Sequence, residues 1–132
     1  MDFQSYAYGS NHWLNDLDLQ AVLARVWPEF SAHTRELAAF GALAGSEAYE
    51  VAYHVDHEAP PVLVQHDLDG NRVDRVRLSP AERTLLGKLA PMMRPPFEGG
   101  SWHHHFAQGY LLADPGLYCI LTITLQTAYA LH

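Results

Sequence analysis

Apolar positions recur along this chain with two different periods, and the changes of period predict its elements. Leu19, Val22, Leu23 and Val26 stand three and four apart, as on one helical face. Asn15 or Asp16 precedes them, and either can cap a helix by accepting backbone N–H bonds. Pro28 ends that helix. Ser31 is the expected cap of a second, with Leu37, Phe40, Gly41 and Ala44 as its stripe, small enough to admit a close neighbour. Gly45-Ser46 then offers a break and a fresh cap. Ala48, Val51, Ala52 and Val55 carry the stripe on to Pro60-Pro61, so two helices or one kinked helix are expected.

Between Pro61 and Leu78 two valine-rich runs flank Asp69-Gly70, the dipeptide that readily supplies the positive φ angles of a hairpin turn. Ser79-Pro80 is a cap followed by proline at the first helical position, and it opens a helix carrying Leu85, Leu86 and Leu89 that Pro91 limits. A loop rich in proline and glycine follows. Ser101 opens a helix through Trp102, Phe106, Tyr110 and Leu111, closed by Asp114-Pro115-Gly116.

Residues 117–131 then run without a charge. A bilayer span needs about 20 predominantly apolar residues, and the threonines and Gln126 weaken that reading further. The segment reads as a core helix that needs cover on several faces, with part of the cover expected from another chain or an absent C-terminal portion. Tyr6, Tyr8, Gly9 and Asn11 lack a period, so residues 1–14 read as a surface arm and 15–132 as one helical domain. The expected architecture is mainly α: five or six helices and one small β-hairpin near 62–78.

Charge and cysteine content narrow the functional classes. The chain of 132 residues has a formal charge of -7, with no clustered Lys/Arg surface of the kind phosphate contacts require, so nucleic-acid binding by this segment is disfavoured. Its single cysteine, Cys119, cannot form an internal disulfide, and residues 1–5 lack a basic region followed by an apolar run. A cytoplasmic location is expected.

Nine histidines raise the question of a metal. Glu50, His54 and His57 share a helical face at ligand spacing, yet no matching second pair is evident and helix C-termini favour histidines anyway, so no metal site is expected. Asp67-Leu-Asp-Gly-Asn has the look of a calcium loop, but Val76 would stand where a bidentate glutamate is required. His103, His104 and His105 point in different directions on a helix and read as a partly exposed helix start. Cys119, between Tyr118 and Ile120, reads as packing. Thr122, Thr124 and Gln126 either bond back to the preceding turn or line a substrate cavity. No residue set forms a convincing catalytic centre.

The run Pro60-Pro61-Val-Leu-Val-Gln-His-Asp67-Leu-Asp-Gly70-Asn-Arg72-Val-Asp74-Arg-Val76-Arg-Leu78-Ser-Pro80-Ala81 resembles the signature of the AidB-like acyl-CoA dehydrogenases. Cys119-Ile-Leu-Thr122-Ile-Thr124-Leu is similar to the Cys-Pro-Ile-Thr-Met-Thr-Phe run that closes their amino-terminal helical domain. The resemblance spans roughly residues 10–132. It implies a flavoprotein of three parts, in which a middle β-domain and a C-terminal helical bundle hold FAD and supply the carboxylate that removes the α-proton. This chain matches the first part alone. Ser79, Glu82 and Arg83 stand where the family usually has histidine and an aromatic-histidine pair.

What the resemblance implies is a domain or small subunit that walls the acyl and flavin site, with Thr122, Thr124 and Gln126 as channel candidates. It would be completed by a flavin-bearing chain or by the rest of the same enzyme, within an oligomer. A non-enzymatic interaction module derived from this domain is the alternative.

Overall fold

In the computed structural model, which describes residues 5–131, several helices begin where a side chain satisfies the first free N–H groups. Asn11 Oδ1 accepts from the N–H groups of Trp13 and Leu14 and opens a short helix, α1 (His12–Asn15). Its amide Nδ2 donates to the Ala38 carbonyl at 2.9 Å. This lies in the stretch expected as a surface arm, yet Trp13 is buried and packs its ring against Phe30. Residues 1–4 of that arm lie outside the described part. Of the two caps expected for the next helix it is Asp16 that serves: its Oδ1 accepts from Leu19 N–H at 2.7 Å and starts α2 (Leu17–Val26).

Ser31 does not cap α3 (Phe30–Leu43), because the turn after Pro28 closes one residue earlier, with Phe30 N–H donating to the Trp27 carbonyl at 3.0 Å. Nor is there a break at Gly45-Ser46. The helix runs through a π-helical turn (Ala44–Ala48) directly into α4 (Tyr49–His57), and the Ser46 hydroxyl donates back to the Ala42 carbonyl. The wider turn is used by the N-terminal segment: Gly9 N–H donates to the Gly45 carbonyl at 2.7 Å. Side chains are excluded here. A Cβ on Gly41 would fall on the backbone of Trp13, and one on Gly45 on the carbonyl of Ser10.

Strands β1 (Val62–His66) and β2 (Arg72–Arg77) pair antiparallel, Val62 opposite Arg77 and Leu63 opposite Val76, with a bulge between Val64 and His66. Gly70 takes φ 82 in the turn, and Asp74 takes φ 40 beside the bulge. The hairpin stands almost wholly in solvent. Ser79 Oγ accepts from Glu82 N–H and opens α5 (Pro80–Leu89), which tightens into a 3-10 turn (Ala90–Met93) at Pro91. Ser101 likewise caps α6 (Trp102–Leu111), and α7 (Tyr118–Leu131) completes a mainly helical domain.

The core gathers one side of every long helix: Leu23, Leu37, Val51, Leu85, Leu89 and Leu111. Against it α7 lays Leu121, with Leu125 also buried, rather than several faces. Among the described residues no helix is long and apolar enough to cross a membrane.

Candidate functional site

Successive residues turn about 100° around a helix, so Thr122 and Gln126 share a side of α7 while Thr124 faces another way. The three do not converge. Thr122 Oγ1 is buried with no partner among the described residues, Gln126 is exposed, and the Thr124 hydroxyl donates to the Ile120 carbonyl at 2.9 Å. Thr127 makes the same bond to Ile123. Spent on the preceding turn, these hydroxyls leave a stripe of Ile120, Ile123, Thr124, Thr127 and Leu131 whose outward chemistry is mostly methyl groups.

The stripe is uncovered: Ile123 keeps 58% and Leu131 83% of its surface exposed. Thr124 also lines a cleft of about 350 Å³ with Met93, Arg94, Phe97, Leu125 and Ala128. Cys119, expected to pack, is exposed on α7, because the helix buries only its opposite edge.

A second, larger hollow of about 780 Å³ lies between the N-terminal segment and the end of α6, lined by His12, Asp16, Asp18, Tyr110 and Asp114 among others. His12 spans it, with Nδ1 3.1 Å from the Leu111 carbonyl and Nε2 3.3 Å from that of Ala7. The charge of Asp16 beside Tyr110 holds that phenol above its ordinary value.

The run of histidines is a partly exposed helix start, as expected, but only through its first member: His103 is exposed, whereas His104 and His105 are buried. His105 is fully enclosed: its Nδ1 lies 3.1 Å from the Met92 carbonyl, which can only accept, so Nε2 receives the Tyr118 hydroxyl proton at 3.1 Å. Both α6 and α7 are thereby fixed to the 3-10 turn. His104 is buried against Trp27 and His33, at ring separations of 5.6 and 4.7 Å. Its Nε2 has no hydrogen-bond partner among the described residues, a state that costs about 1–3 kcal/mol for a buried polar group. Burial pushes the His104 imidazole below its ordinary value, against the opposing pull of Glu36, so the neutral ring is favoured.

Glu50, His54 and His57, which share a face by spacing, have separate partners. Glu50 takes the Tyr8 hydroxyl, His54 pairs with Glu58, and His57 Nδ1 donates to the Tyr53 carbonyl. The histidines and carboxylate that do meet are His33, Glu36 and His104. His33 and Glu36 are a readable pair three apart, but the third member arrives only through the packing of α6 on α3.

The hairpin residues with the AidB-like pattern build a turn. Asp67 Oδ1 accepts from the N–H groups of Asp69 and Asn71, both at 2.9 Å. The amide and backbone N–H of Asn71 hold the Asp67 carboxyl below its ordinary value. Arg72 Nε donates to Asp74 Oδ2 at 2.6 Å, which helps Asp74 keep its positive φ at the bulge. No curated protein and no solved structure matches the chain. The model of the family described as the adaptive response protein AidB N-terminal domain matches residues 4–132, and the chain therefore belongs to that family.

Proposed function

We propose that this domain forms one wall of the acyl and flavin site of an AidB-like acyl-CoA dehydrogenase, completed by a flavin-bearing chain or by further parts of the same protein. The observation that carries the reading is the uncovered stripe of α7, where Ile120, Ile123 and Leu131 stand in solvent on a helix without a charge. Exposed apolar surface of this kind marks a site of contact. Thr124 lies on the stripe and in the adjoining cleft, whose Met93, Phe97 and Ala128 suit an acyl chain. Its oxygen, having donated its proton to Ile120, keeps a lone pair that can accept from a bound group.

The residues of this face suit a flat ring or a hydrocarbon and do not suit the pyrophosphate of FAD, which wants a glycine-rich helix start or clustered cations. The flavin accordingly belongs to the partner or the further domains. The part left to this domain is to exclude water, so that removal of the α-proton and of hydride proceeds in a fixed, dry geometry. The assembly is an oligomer in the cytoplasm.

Purification from the native host under gentle conditions, with native mass and absorbance in the flavin band, tests the reading. A yellow complex larger than this chain is expected, with Thr124→Val lowering its acyl-CoA dehydrogenase activity while assembly is kept. A colourless species of this chain alone refutes it and favours an interaction module.

A further inference from the structure

The carboxylate of Glu36 stands between two imidazoles: Oε2 is 3.7 Å from His33 Nδ1, and Oε1 is 3.4 Å from His104 Nε2. One donor atom from each residue lies within 4.8 Å of the other two. We propose that His33, Glu36 and His104 bind one divalent transition-metal ion, zinc by preference, with a fourth position open to water.

The donor set is the first argument. Two imidazole nitrogens and a carboxylate oxygen are ligands that zinc accepts as a trio while keeping an open position, whereas calcium and magnesium take oxygen donors. Ligand bonds of about 2.0–2.2 Å place the atoms of a tetrahedral site about 3.3 Å apart, so the trio needs to close by at most about 1.5 Å. Glu36 is exposed and His33 half-buried, and both have room to make that adjustment.

The fixed member supplies the second argument. His104 is 5% exposed, and its Nε2, aimed toward Glu36, has no hydrogen-bond partner among the described residues. Trp27 stacks on His33 at 4.7 Å and 21°, and lies over His104 at 5.6 Å and 31°, so one indole holds both rings with their nitrogens toward the carboxylate. One turn further along α6, Gln108 is also buried, and its Oε1 also lacks a partner. Gln108 and Glu36 both line a cleft of about 300 Å³, where a metal-bound water would find an acceptor.

The test uses the full chain, stripped with a chelator, dialysed against zinc and assayed for bound metal, alongside Glu36→Gln, His104→Ala and the control His54→Ala. The chain has nine histidines, so the difference between variants is the readout. Retention of about one zinc by the parent and the control is expected, with binding at least tenfold weaker in Glu36→Gln and His104→Ala. Cobalt should give the intense visible bands of a four-coordinate site in the parent and the control, and not in Glu36→Gln or His104→Ala. Equal zinc in the parent and Glu36→Gln, or none in the parent, overturns the proposal. Should His104→Ala fail to fold, Glu36→Gln decides by itself, since its side chain stands largely in solvent.

Discussion

Replacing Gly109 by alanine should destabilise the protein, although glycine inside a helix is ordinarily inferior to alanine by about 1 kcal/mol. A Cβ at this position of α6 would fall on the ring of Tyr118, against its Cε2, Cζ and hydroxyl. If the ring stays, the overpacking costs about 1–3 kcal/mol. If it swings out, it gives up its bond to His105 Nε2 and leaves a buried nitrogen unpaired, again about 1–3 kcal/mol. Set against the helical gain, a net loss of about 1 kcal/mol is expected, or about 4 °C in Tm for a domain of this size.

The decisive comparison is a double-mutant cycle followed by urea denaturation. With Tyr118→Ala the obstacle is gone, and Gly109→Ala should then stabilise by about 1 kcal/mol. The sign reverses, and the coupling is about 2 kcal/mol. Tyr118→Phe belongs between these limits, because its ring can move without forfeiting a hydrogen bond. Equal stabilisation by Gly109→Ala in both backgrounds would refute the contact between α6 and α7.

Gly45→Ala should cost more, about 2–3 kcal/mol by denaturant titration, since its obstacle is the Ser10 backbone, while Gly87→Ala, with nothing within 4 Å, should stabilise by about 1 kcal/mol. Ser79→Ala removes the cap of α5 and should lower stability by about 1 kcal/mol in the same assay. Ionised Asp67 supports its turn above the ordinary carboxylate range, and that support is lost as pH falls through its lowered value; Asn71→Ala should raise the midpoint in a carboxyl NMR titration, and an unmoved midpoint would contradict the assigned bonds. Ile123→Asp should reduce self-association in light scattering with little change in Tm, because the side chain is exposed; a large fall in Tm would show that it packs within the domain.

Local chemistry was the legible part of this fold. Ser79, Ser101 and Gly70 act through bonds and backbone angles within a few residues, and the structure uses them as the pattern predicts, although of the Asp69-Gly70 pair only the glycine takes a positive φ. Ser31 misled because a competing local bond, to the Trp27 carbonyl, closes the turn one residue earlier, and Gly45-Ser46 because the N-terminal backbone, distant in sequence, occupies the glycine face. The histidine run illustrates the same limit. Its polarity suggested solvent, which holds for His103, but the Met92 carbonyl and Tyr118 hydroxyl at His105 and the Trp27 ring against His104 make burial of those two tolerable. On α7 the apolar content was plain, whereas which edge would be buried depends on Leu121 and Leu125 meeting the rest of the core.

The π turn at Ala44–Ala48 also sets a direction. It lies between two long helical runs, and the hairpin projects from the far end of the second. Each residue added to or removed from a helix rotates everything beyond it by about 100°. Losing one residue here, and with it the widened turn, would carry Val51 off the core and swing the Asp67–Asn71 tip to another side of the domain. Length within this rod is thus an aiming device: a single deletion in residues 44–48 would leave the hairpin's own bonds intact and point it elsewhere.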